Sequence, residues 1–582
     1  MSHSLAQTVN VGSRPLPAWN IWHNPIFRRY CRSRLRPRAL SVSLICTVVL
    51  AAFLFFLFRT LAMFRGDLPV ADAERAPIIP LLVLQGVILF FLGTGQVAAG
   101  MTGEADEGVL DYQRLTPMSP LAKVVGYLFG LPIREYVSFA ATLPFTAWAL
   151  WRGQVPLAAW SHVYLVLLSA AWLYHLTGLL AGTVVKNRRW AFLIAIGVVF
   201  LLYTVIPQVA KFGLVFFKYL TIWPVFFENY ADLLPRVAGG MLRLSQALLP
   251  PVQFFNLKFS ETVFTLFSQG VLIVTFVVML RRRWRRAEAH LLGKVWSAGL
   301  FVWIQVMLLG NALPQIAPGY LFPSREFGRR FLRVRNWKPE AAEAVAMIGL
   351  YGLVTMALMG ALILIITPNQ DTQLRGLRRA RKHGLRRAAW FADEAGAFCI
   401  VVVMAVIGAI GWQFFASGLV ESKWFAAQLP AYAGAAFALV LLGAGLGFHI
   451  LIEAWGGKWP FLAVVFLGVV PIMAGAILGT ADNRLLTSAT WLAGLSPAAA
   501  PFYAAQILFP IPEVPIEMSR AIPRAFLFWQ GIAAVAVTWL GWELWKTKKR
   551  RASELGTPAP ESADSAVSSH QSGLLKRPDS GE

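Results

Sequence analysis

Residues 39–58, ALSVSLICTVVLAAFLFFLF, are twenty consecutive positions without a charge. A helix of that length rises about 30 Å, the thickness of the hydrocarbon core of a bilayer. The segment does not read as a cleaved leader. The basic stretch before it is 38 residues long, and no small-x-small site follows before MFRGD. It reads as a first membrane span, and the rest of the chain is equally apolar. Of 582 residues, 57% are hydrophobic and 14% charged, against about a quarter charged in soluble domains. The expectation is an all-α polytopic membrane protein.

The formal charge of +24 does not point to nucleic acid. Lys and Arg gather in short patches beside apolar runs, as the positive-inside rule expects of cytoplasmic loops. Three cysteines, Cys31, Cys46 and Cys399, are too scattered for a disulfide framework. They and eight dispersed histidines give no metal-ligand cluster and no H-E-x-x-H.

About twelve spans follow from hydropathy, in two sets of six. The first set is 39–63, 78–101, 126–150, 158–183, 190–207 and 262–280. The second is 296–317, 344–367, 395–416, 431–453, 460–479 and 523–545. With the N-terminus inside, the cytoplasmic side receives the leader's Arg28, Arg29, Arg32, Arg34, Arg36 and Arg38. It also receives Lys186, Arg188 and Arg189, RRRWRR at 281–286, RGLRRARKHGLRR at 375–387 and KTKKRR at 546–551. An even number of spans returns both termini to the cytoplasm. The basic loop 318–343 then falls outside, against the rule. Residues 208–260 alternate aromatics with Lys211, Lys218, Glu228 and Asp232, which suits short helices in the outer interface. The organisation expected is a basic interfacial segment (1–38), a six-span domain (39–290), a second membrane region (291–551) and a disordered tail (552–582).

One polar stretch interrupts this pattern. EADEGVLDYQRLTPMSPLAK, residues 104–123, lies between spans two and three on the cytoplasmic side. Glu104, Asp106 and Glu107 suit a helix N-terminus, where negative charge is favoured. Val109, Leu110, Tyr112 and Leu115 then follow along a short helix, and Pro117 ends it. Such an element is either a docking helix parallel to the membrane or an ordinary solvated turn, and the residues alone do not separate the two.

The same stretch resembles a segment of ABC-2 type permeases that reads, loosely, E-R-x-x-G-T-L-x-x-L-x-x-T-P-L-S. It aligns without a gap through Glu104, Glu107, Gly108, Leu110, Leu115, Thr116, Pro117, Ser119 and Pro120, with Gly126 where that family often has glycine. Ala105 and Val109 depart from its usual Arg and Thr. NPIFRRYCRSRLR at 24–36 is similar to the family's N-terminal interfacial helix through Asn24, Pro25, Arg28, Arg29 and Arg32, with Tyr30 at a commonly acidic position. GTVVKNRRWAF after span four and RRRWRR after span six fit the same plan, so the resemblance covers about 1–290.

The resemblance implies that 104–120, Asp106 included, is a coupling helix seated on a separate nucleotide-binding ABC ATPase subunit. It also implies an exporter in a bacterial cytoplasmic membrane. No G-x-x-x-x-G-K-[ST] occurs, so no cofactor is expected on this chain and ATP is used by the partner. The second half repeats the order of elements. It is either a diverged copy, making a pseudo-dimer, or a set of added spans, in which case a second permease chain completes the unit.

Arg134 and Glu135, near the start of span three, either line a substrate path or neutralise each other at the interface; burial cost favours the second. Three G-x-x-x-G patterns, at Gly126/Gly130, Gly178/Gly182 and Gly443/Gly447, permit close helix packing. The alternatives to a permease are a non-transporting scaffold and a membrane-embedded enzyme. For the enzyme no catalytic constellation is visible, since the one acidic cluster has no histidine near it and G-x-S-x-G is missing. The partners expected are the ATPase and the lipid bilayer.

Overall fold

The computed structural model describes residues 20–64, 68–210, 212–235, 252–286, 288–316, 340–385, 388–422, 425, 428–456 and 459–554. A short helix, α1 (Pro25–Arg34), precedes α2 (Pro37–Phe64) and α3 (Val70–Asp106). Then come α4 (Val109–Leu115), α5 (Pro120–Gly130), α6 (Ile133–Arg152), α7 (Leu157–Val184) and α8 (Arg188–Thr204). A hairpin, β1 (Val252–Phe254) and β2 (Leu257–Phe259), leads into α9 (Glu261–Arg285). The second half holds α10 (Lys294–Ile316), α11 (Ala341–Ile366), α12 (Gln370–Lys382), α13 (Phe398–Glu421), α14 (Ala433–Trp455), α15 (Trp459–Ala481) and α16 (Ile516–Glu554).

Among the described residues, ten helices are long and apolar enough to cross a membrane: α2, α3, α7, α9, α10, α11, α13, α14, α15 and α16. The fold is thus that of a polytopic α-helical membrane protein, with one small hairpin added. The two other expected spans are helical but interrupted. Residues 126–150 divide between α5 and α6, because Pro132 supplies no N–H and closes a turn at Leu131–Pro132. In 190–207, α8 stops at Thr204, ahead of Pro207.

Inside the first half, α3 packs between α6 and α7. Gly178 and Gly182 on α7 make this possible: a Cβ there would stand 2.8 Å from the Thr94 carbonyl oxygen and 2.7 Å from that of Ala98. The backbones touch, as small-residue interfaces in lipid allow. In the third pattern a Cβ on Gly447 of α14 would stand 3.2 Å from a Val537 methyl of α16, while Gly443 has nothing within 4 Å.

Within α3, residues Val87–Gly93 form a π-helical turn. Such a turn frees carbonyls from the regular ladder, and the Leu89 oxygen accepts from His175 Nε2 at 2.9 Å. Because that carbonyl only accepts, Nε2 carries the proton and Nδ1 receives the Tyr136 hydroxyl at 2.9 Å. Gln85, one turn earlier, donates to Thr142 (2.9 Å) and Thr146 (3.0 Å) and accepts from Tyr164 (2.8 Å). Gln85 and the Leu89 carbonyl of α3 are thereby paired across to α6 and α7.

The neighbour pattern recurs in the second half. In the first, α2 packs on α3 and α6, α3 on α6 and α7, and α7 on α9. In the second, α10 packs on α11 and α13, α11 on α13 and α14, and α14 on α16. The correspondence fails in two places: α13 packs closely on α14 whereas α3 lies between α6 and α7, and α8 lies against α3 whereas α15 lies against a helix at Leu486–Gly494.

The halves are joined at both ends. At one end the hairpin's Phe255 N–H donates to the Gly310 carbonyl of α10 at 2.8 Å. At the other, Arg282 of α9 grips Asp393 through both carboxylate oxygens (2.8 and 2.7 Å). Lys294 there donates to the carbonyls of Trp390, Ala392 and Ala395.

Residues 208–260 hold short helices as expected, at Val215–Leu220, Trp223–Glu228 and Tyr230–Leu233, but part of the stretch is more deeply packed than interfacial helices would be. Phe216 and Tyr219 are buried in the second half's core and Val225 and Leu233 in the first half's, so this segment covers the junction between them. Lys211 and residues 236–251 of that stretch, 318–339 of the loop 318–343, and 555–582 of the tail lie outside the described residues. The helix of α16 runs to Glu554, beyond the expected end of its span.

Candidate functional site

The acidic stretch is built differently from its expected form. Glu104 and Asp106 belong to the last turn of α3, and Glu107 caps it; they do not open the helix that follows. Gly108 is the reason. Its φ of 70° lies in the left-handed region, where a side chain is strained. The Gly108 N–H bonds back to Ala105 O and that of Glu107 to Gly103 O. The glycine after the last turn was the available signal. Asp111 occupies the first turn of α4 instead.

The second boundary follows its sequence. α4 ends at Leu115, Thr116 is extended before Pro117, and Ser119 caps α5 by accepting from Ala122 N–H at 3.2 Å, with Pro120 in the first position. Of the apolar residues on α4, Leu110 is buried at 8% exposure. Tyr112 and Leu115 stand out at 75% and 83%. Asp106 and Glu107 beside them are also exposed.

Glu104 is the joint that holds this element. Its Oε1 accepts the Tyr30 hydroxyl at 2.6 Å and forms an ion pair with Arg29; its Oε2 accepts the Tyr127 hydroxyl at 2.8 Å. Burial, with the Glu104 charge and hydrogen bond, raises the Tyr30 phenol well above its ordinary range, so it stays a donor. Tyr127 in turn stacks on Trp284 at the end of α9, with 5.4 Å between ring centroids.

Helix α1 is seated by the same residues. Asn24 accepts from Ile26 and Phe27 N–H, with Pro25 in the first position, and donates to the Ala122 carbonyl at 2.7 Å. Gly126 and Gly130 of α5 leave the space: Cβ atoms there would lie 2.6 Å from Asn24 Oδ1 and 2.8 Å from the Tyr30 ring. Ile26, Phe27 and Tyr30 are buried, so the apolar face of α1 covers protein, while Arg28, Arg29 and Arg32 face outward. Arg28 Nε donates to Trp22 O. Arg134 and Glu135 pair at 3.0 Å in the first turn of α6.

A second segment lies at this end of the bundle, since α9 touches both: Trp284 meets Tyr127, and Arg282 meets Asp393. There α12 is tied by Gln373 to buried Glu453, which also pairs with Lys548 of α16 and stands 3.4 Å from His449 Nε2. Arg551 donates to Gln370, Arg375 pairs with Glu288 and Arg379 with Glu394. This element is basic where α4 and its approach are acidic. Among the described residues, no group of three His, Cys, Asp or Glu is placed to hold a metal ion.

Comparison of the chain with protein-family models, with curated proteins and with solved structures returns no match.

Proposed function

We propose that this chain is the membrane-spanning permease of an ATP-driven exporter of the ABC-2 type, working with a separate nucleotide-binding ATPase. One observation carries the reading. α4 points Tyr112 and Leu115 into the open beside Asp106 and Glu107, while its root is locked through Glu104 to α1, α5 and the end of α9. A rigid lever with an apolar tip transmits a push; a solvated turn does not need one. ATP is bound and hydrolysed by the partner, and this chain converts the movement into displacement of its spans. In this reading twelve segments cross a bacterial cytoplasmic membrane, with both termini and α4 on the cytoplasmic side. The recurring neighbour pattern supports the second half as a diverged copy of the first, so that one chain forms a pseudo-dimer.

The test is co-purification from detergent-solubilised native membranes, read as ATP hydrolysis retained by the chain. Tyr112→Asp/Leu115→Asp alters exposed residues alone and leaves the fold intact. It is expected to reduce the bound ATPase more than about tenfold, the scale of losing an aromatic anchor. Wild-type protein that carries no ATPase, under conditions that preserve a known transporter, overturns the proposal.

A further inference from the structure

Beneath α4 lies a cleft of about 150 Å³, lined by Met101, Leu110, Asp111, Arg114, Arg283 and Trp284 among others. Its charge is unbalanced. Arg114 comes from α4 and Arg283 from α9, and Lys123 of α5 stands 5.8 Å from the Trp284 ring centroid. The one carboxylate in the lining, Asp111, pairs with Arg114 through a single nitrogen, Nη1, and is itself 79% exposed. Arg114 Nε is buried and has no hydrogen-bond partner. Arg283 reaches the Ala289 carbonyl at 3.4 Å. Lys123 is occupied by the Gln113 and Thr116 carbonyls at 2.6 and 3.3 Å. Burial, and next the charge of Arg114, lowers its ammonium below the usual range. Like charges gathered in a partly dry site are costly unless an anion joins them.

We propose that this cleft binds a phosphate group, clamped between the guanidinium groups of Arg114 and Arg283. Guanidinium forks match phosphate oxygens in pairs, and a phosphate offers acceptors to two forks at once. The cleft exceeds the ~30 Å³ of a single water by enough to hold such a group with part of its hydration. Bound there, the phosphate ties the root of α4 to the end of α9. The group belongs either to a free anion or to a lipid headgroup. The proposal rests on the cleft alone and stands or falls separately from ATPase docking.

The test uses the full chain in phospholipid-free detergent, following thermal unfolding at constant ionic strength. The probes are inorganic phosphate, dihexanoyl phosphatidic acid and, as the phosphate-free control, dihexanoylglycerol. A saturable rise in the unfolding temperature with inorganic phosphate identifies a free anion; a rise with phosphatidic acid alone identifies a headgroup. Either supports the site if Arg114→Gln/Arg283→Gln raises the half-saturating concentration at least about tenfold, as expected for lost charge-assisted bonds. No saturable rise with either phosphate probe, an equal rise with dihexanoylglycerol, or an unchanged half-saturation in the variant overturns it. Should the Gln pair not fold, Arg114→Lys/Arg283→Lys keeps the charges but not the forks. Weaker binding by that variant supports the clamp, and wild-type binding overturns it.

Discussion

Replacing Glu104 with alanine frees α1 from the bundle. The carboxylate accepts from Tyr30, Tyr127 and Arg29 at once, and its removal leaves two phenols in a largely buried place without an acceptor. Hydrogen bonds to a charged group contribute about 1.5–3 kcal/mol each. Arg29 adds little, since its side chain is 41% exposed. The expected cost is therefore about 3 kcal/mol, set by the two tyrosines. It falls locally, on the packing of α1, because the long helices do not depend on this joint. Trypsin reads it directly: cleavage after Arg28, Arg29 and Arg32 in detergent should accelerate about a hundredfold. Glu104→Gln keeps an acceptor and should fall between. Unchanged cleavage would mean that Asn24 and the Gly126/Gly130 contacts hold the helix unaided.

Gly182→Leu should prevent assembly of the first half. Its Cβ would stand 2.7 Å from the Ala98 carbonyl oxygen and 2.6 Å from Met101 Cβ, and neither atom is the end of a flexible side chain. Helices α3 and α7 must separate, which also breaks the contact of Thr102 Oγ1 with the Gly182 carbonyl. Overpacking of this kind costs about 1–3 kcal/mol when side chains give way, and more when backbone must move. The measurement is the yield of monodisperse protein after detergent extraction, with Gly443→Leu as the comparison. Gly443 has open space around it, so its substitution should cost no more than about 0.5 kcal/mol. Equal yields for the two variants would contradict the close crossing of α3 and α7.

The contrast between these glycines shows where sequence reading stops. Gly178/Gly182 and Gly443/Gly447 carry the same spacing in equally apolar helices, and only the partner across the gap separates them. The spans themselves were legible because lipid demands one thing, an unbroken apolar run long enough to cross. The division between α5 and α6 depends on Pro132 alone, which hydropathy averages away. At the acidic stretch, the helix end before Pro117 was read from local backbone chemistry and the Ser119 cap of α5 was not, while the left-handed Gly108 moved three carboxylates from the start of one helix to the end of another. The pairing of Glu104 with Tyr30 and Arg29 joins residues more than seventy positions apart. No local rule brings them together, and the sequence treated the two segments as separate features.

The π-helical turn in α3 sets an angular phase. A turn closed five residues on consumes one residue more than a turn closed four on, and each residue of an α-helix advances about 100°. Everything after Gly93, Glu104 included, is therefore rotated by roughly that angle from where an unbroken α-helix would carry it. The azimuth at which the carboxylate meets Arg29 and Tyr30 is fixed in mid-span, three turns away. Any event that converted Val87–Gly93 to regular helix would swing the acidic end past its partners like a key turned in a lock.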